Sequence, residues 1–209
     1  MKATFKVFET IKNVLSQNNS RITKFTDLAL LYLGFCEHFI SYLDAYEILY
    51  KQKNYYACKA IDRIVLDLYI KTRLLAEVYD SEDLANWLWK GNKIKKYKSF
   101  IGIQGDLTDI ALCRYFDKQD YNYSCYPGTK EKIMDDTQGQ WEKRYREKSD
   151  FIHPNKQSAI EYWKKYKWPD REKQTQIMIE EDEEVCFELL ANDVAAQLSE
   201  ICSKILIAQ

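Results

Sequence analysis

The chain has 209 residues, 46% hydrophobic and 30% charged, with a formal net charge of -1. That length and composition can bury a core and exclude a disordered chain, while the balanced charge excludes a protein that coats nucleic acid through bulk basic excess. Only 6 Gly and 3 Pro occur; sheet-rich folds need many tight turns, so this scarcity points to a few long helices.

In chain order, Phe5, Phe8, Ile11 and Leu15 recur at helical spacing and predict a first helix over about residues 3–17. Thr26 or Asp27 can cap a second, long helix that runs through Leu49. Within it, Leu28 to Cys36 is the most apolar run of the chain. Glu37 and His38 interrupt that run far short of a membrane span, so it reads as a core helix, and no membrane partner is expected. His38, beside Cys36 and Phe39, reads as a core or boundary histidine.

Lys51 to Asn54 is a short polar connection of the kind that joins antiparallel helices. A third helix, from Asn54 to Tyr79, carries Ile61, Ile64, Val65, Leu68 and Leu75 on one face. Ser81 is placed to cap a fourth helix. The basic segment Lys90 to Lys98 reads as a solvated helix face. Asp106 to Phe116 predicts a short helix, and Asp117 to Gly128 a polar loop. A helix over Thr129 to Phe151 ends at Pro154, because the residue before a proline resists helical torsions. Another covers Ser158 to Lys167. The stretch Tyr162 to Trp168, at the end of that helix, interleaves aromatics with lysines and reads as core and boundary packing. The acidic run Glu180 to Glu184 then starts a last helix with Val185, Leu189, Leu190, Val194, Leu198, Ile201 and Ile205 as its apolar positions.

This pattern predicts an all-α fold: a single domain spanning 1–209, with an N-terminal helix in 1–20 and a helical bundle of about six to eight helices in 25–209. The six cysteines form no C-x-x-C and no Cys/His cluster, so no zinc or other metal site is expected, and they read as buried thiols of a reducing compartment. The first residues contain no apolar h-region. A cytoplasmic protein is the expectation.

Few residues can carry chemistry. There are 2 histidines, and the phosphate-cradling, dinucleotide-binding, nucleophile-elbow and H-E-x-x-H motifs are all missing. No cofactor is therefore expected. One stretch stands apart. Arg146, Ser149 and His153 lie at i, i+3 and i+7, so one helix face presents a permanent cation, a hydroxyl and an imidazole. That set suits phosphodiester chemistry: the guanidinium binds phosphate, and the imidazole takes or gives a proton. The alternative is structural, and by spacing alone it weighs more. A histidine in a last helical turn complements the helix dipole, and a serine can bond back to the backbone. Arg63 and Asp67, an i, i+4 pair in an apolar stretch, also have two accounts. They could brace the Arg146/His153 face, or form a surface ion pair worth about 0.3 to 0.5 kcal/mol.

Arg146 with six residues before His153 resembles the R-x(4–6)-H motif of HEPN domains. Ser149-Asp150-Phe151-Ile152-His153-Pro154 is similar to the Ser-x-x-x-His-Pro signature of a related bacterial helical family. In that family an earlier helix carries Arg-x-x-x-Glu, and Arg63 to Asp67 is similar, with Asp for Glu. The resemblance implies a helical bundle, often a homodimer, acting as a metal-independent endoribonuclease in toxin–antitoxin, abortive-infection or other phage defence. RNA would be the substrate and an antitoxin or other protein a partner. Carried over, Arg146 would bind the scissile phosphate, His153 would be the acid/base, Ser149 would assist, and Arg63 with Asp67 would support the site. HEPN-like domains also serve as non-catalytic interaction or regulatory subunits, which is the second function the resemblance allows.

Overall fold

The computed structural model describes residues 2–77, 81, 82, 84, 85, 109–120, 141–143, 145, 146, 149 and 169–209. Among them the long elements are all helices: α1 (Lys2–Asn19), α2 (Asp27–Lys51), α3 (Tyr55–Glu77), α4 (Asp109–Asp120) and α5 (Pro169–Ile207). Residues 141–143, 145, 146 and 149 are helical too and make up what we term the site segment. No strand occurs among the described residues. The predicted Lys90–Lys98 face, the 121–128 part of the loop, the helix over 158–167 and the Tyr162–Trp168 stretch lie outside them, as do Pro154 and His153.

Local chemistry sets the helix ends. Thr26 is the N-cap of α2, its backbone extended and its hydroxyl accepting from Ala29 N at 3.2 Å. Glu82 adds a carboxylate at the same end, 3.3 Å from Leu28 N, where the helix dipole favours negative charge. At the other end, Lys53 N donates to Tyr50 O and Asn54 N to Leu49 O, both at 2.9 Å. This is a Schellman closure with Lys53 at φ 57°, the left-handed position where glycine is usual. Asn54 then starts α3, its side chain accepting from Ala57 N at 3.3 Å.

Contacts along the helices give the topology. Phe5 meets Tyr50 and Phe8 meets Tyr46, so α1 and α2 are antiparallel, as their short connection requires. Thr72 donates to Gln197 Oε1 at 2.7 Å, and Lys204 reaches the carbonyls of Leu75 and Ala76. Hence α3 and α5 run parallel, and the chain between them must return along the bundle. The site segment does so: Trp141 stacks on Tyr69, whereas Tyr145 and Ser149 lie against Arg63.

The core is aromatic where α1, α2 and α5 meet. Phe187 stacks flat on Tyr46 with ring centroids 3.7 Å apart, and Phe8 packs edge-on to Phe187 at 5.7 Å. All three are buried. Along α5 the buried stripe is Phe187, Leu190, Ala191, Val194, Leu198, Ile201, Cys202 and Ile205, at helical spacing. Leu189, predicted as part of it, lies off the stripe and is 61% exposed.

Three further expectations change. The acidic run does not start the last helix; α5 begins at Pro169 and contains it. Proline is preorganised for a first helical turn, and no breaker follows it before Glu180. Ser81 is itself helical, and its hydroxyl donates back to Leu75 O at 2.9 Å. His38 is exposed rather than buried, its ring stacked on Tyr42 at 6.1 Å.

Cys36, Cys58, Cys113 and Cys202 are buried free thiols. Burial pushes the Cys36 thiol up to about 12, which keeps it protonated and unreactive. Lys204 also donates to Ser81 Oγ at 3.2 Å, and burial lowers its pKa. Its cation sits where the C-terminal carbonyls of α3 need donors. No described helix is long and apolar enough to cross a membrane.

Candidate functional site

Arg63 lies midway along α3 and is 3% exposed. That burial disposes of the surface-pair account of Arg63 and Asp67. The guanidinium is engaged on three sides. It forms an ion pair with Asp67 one helical turn on. Its Nε donates to Ser149 Oγ at 3.0 Å. Its face lies 3.5 Å from the centre of the Tyr145 ring, a cation–π contact strengthened by exclusion of water. A buried cation needs such company, because desolvation alone would cost several kcal/mol.

Ser149 is committed in both senses. Its hydroxyl donates to Tyr145 O at 2.7 Å and accepts from Arg63. The i, i+4 back-bond orients the hydroxyl so that a lone pair faces the arginine.

Arg146 stands elsewhere on the segment, with its side chain 57% exposed. Its Nε and one terminal nitrogen donate to Glu142 Oε1 at 2.9 and 2.8 Å. Arg114 of α4 reaches the same carboxylate, donating to Oε2 at 2.6 Å and to Oε1 at 2.9 Å. Two guanidinium groups therefore share one carboxylate. The hydrogen bonds from Arg114, then those from Arg146, hold Glu142 below the usual carboxylate range despite its partial burial.

That depression has a sign. With a folded pKa below the unfolded value of 4.5, Glu142 contributes stability that is present above that value and lost as pH falls through the folded pKa. Glu142→Gln is therefore expected to be less stable than the wild type at pH 6, with the gap closing below pH 4.5. Urea unfolding at a series of pH values reads this, and a gap independent of pH would refute the charge interaction.

Asp117 fixes the start of the segment. Only 4% exposed, it accepts from Trp141 N at 2.8 Å and from Glu142 N at 3.2 Å, as a carboxylate does at a helix N-terminus. Trp141 stacks on Tyr69 with centroids 4.7 Å apart. Arg73 lies over Phe116 at 4.3 Å and joins α4 to α3. The segment is thus held at its start by α4 and along its length by α3.

Of the predicted site residues, the fold brings Arg63, Asp67 and Ser149 together. It leaves Arg146 at the solvent edge beside Glu142, and His153 lies outside the described residues. Tyr145, Glu142, Arg114 and Asp117 were not singled out from sequence. The i, i+4 spacings of Glu142 with Arg146 and of Tyr145 with Ser149 were visible signals; no sequence signal joins Arg114 or Asp117 to them. Among the described residues, no group of His, Cys, Asp and Glu could hold a metal ion. No family model, curated protein or solved structure matches the chain.

Proposed function

We propose that this protein is a metal-independent endoribonuclease of the HEPN type, acting in a stress or phage-defence system. The observation that carries the reading is the bond from Arg63 Nε to Ser149 Oγ. It joins two residues 86 positions apart, and they belong to the two short motifs on which the resemblance rests. In this reading Arg63 and Asp67 brace the segment, and Ser149 acts through its grip on Arg63.

Arg146 binds the scissile phosphate. Its exposed pairing with Glu142 is worth about 0 to 1 kcal/mol, which a bidentate phosphate contact can replace. His153 removes the proton of the attacking ribose 2′-hydroxyl or protonates the departing oxygen.

The test is cleavage of single-stranded RNA in EDTA by the purified chain. His153→Ala is expected to lower the rate by about 10²- to 10⁴-fold, the usual contribution of a general acid or base, with an unchanged far-ultraviolet dichroism spectrum. Equal cleavage by both proteins overturns the reading.

A second reading is favoured by one observation: Glu142 already occupies Arg146 and Arg114. A protein with this shared carboxylate and a net charge of -1 also suits a non-catalytic subunit of a defence complex. That reading requires a stable protein partner in pull-downs and no cleavage in the same assay.

A further inference from the structure

We propose that Arg114 and Arg146 form a seat for one phosphate of a single-stranded RNA backbone, filled in the free protein by Glu142. The inference rests on the ribonuclease reading for its ligand. Four N–H groups, two from each arginine, converge on the two oxygens of Glu142. Two arginine forks closing on a pair of oxygens also suit a phosphate. The arginines come from different elements, yet their spacing is held. Asp117 lies on α4 one turn from Arg114, and it grips the backbone at Trp141 and Glu142. Both guanidinium groups reach solvent, at 59% and 57% side-chain exposure, whereas Glu142 beneath them is 19% exposed. The two arginines and the glutamate together carry one net positive charge, and an arriving phosphate competes with the carboxylate for the same donors.

Arg114 is thus a second RNA-binding residue, invisible from the motif, and Glu142 is an internal competitor that weakens binding. The full chain is mixed with a single-stranded RNA oligonucleotide whose 2′-hydroxyls are methylated, so that binding is read without cleavage. Fluorescence anisotropy gives the affinity from low to physiological salt. Glu142→Gln is expected to bind about two- to fivefold more tightly, the scale of one exposed charge interaction. Arg114→Gln is expected to bind more weakly, with a salt slope shallower by about 0.7, one single-strand phosphate contact. Unchanged affinity and slope in both variants overturns the proposal, as does a Glu142→Gln protein that is folded and does not bind. If dichroism shows that Glu142→Gln is unfolded, an unmoved Arg114→Gln slope is the overturning result. Cleavage of unmodified RNA, with and without His153→Ala, is run in parallel. His153-dependent cleavage with unmoved binding removes the phosphate seat alone; shifted binding without cleavage removes the ribonuclease reading alone.

Discussion

Arg63→Met is expected to lower the stability of the fold by about 3 kcal/mol, as removal of one partner from a buried ion pair does. Methionine fills much of the volume, so the loss is electrostatic. Asp67, with 26% side-chain exposure, loses the guanidinium. Ser149 loses its donor, and Tyr145 loses the cation on its face. Arg63→Lys is expected to recover only part of the loss. An ammonium is a point charge and cannot serve Ser149 and Asp67 while lying flat on a ring. The double variant Arg63→Met/Asp67→Leu is expected to be more stable than Arg63→Met, because the carboxylate that faced the guanidinium is removed with it. Urea unfolding midpoints at constant slope measure all three. A change under about 0.5 kcal/mol in Arg63→Met, the level of an ordinary surface substitution, would show that the pair is solvated.

Phe187→Ala is expected to cost about 3 to 5 kcal/mol, the range for emptying a buried aromatic position. Phe187 is fully buried, stacks on Tyr46 and receives the edge of Phe8. Its removal opens a cavity where three helices meet. For a chain of this size, each kcal/mol shifts the melting temperature by about 2 to 4 °C, so a drop of roughly 10 °C is the expected reading. Leu189→Ala is the control. Two residues away but 61% exposed, it is expected to stay within about 0.5 kcal/mol. A loss at Leu189 equal to that at Phe187 would mean that α5 is rotated about its axis.

The two positions also show how far α5 could be read from its residues. Its apolar period was plain from Leu190 to Ile205. Its beginning was not, because an acidic run is compatible with either the start or the middle of a helix. The choice lies in whether the preceding backbone keeps helical torsions, and here it does so from Pro169. His38 shows a similar limit. A histidine between Glu37 and Phe39 on a helix rich in apolar residues has no local marker of which side is covered; only the placement of α1, α3 and α5 against α2 decides it.

For the site itself, the sequence supplied the residue types and the two short motifs. It also set the local geometry that needs only one helix: the pairing of Arg63 with Asp67, the back-bond of Ser149 to Tyr145, and the bond of Arg146 to Glu142. These follow from 3.6 residues per turn and need no partner element. What only the tertiary structure decided is that Arg63 is buried, that its Nε meets Ser149, and that Arg114 shares Glu142 with Arg146. Those contacts depend on α3, α4 and the site segment lying side by side. Side-chain packing between helices far apart in sequence sets that arrangement, and helical periodicity says which face is apolar but not which helix will cover it.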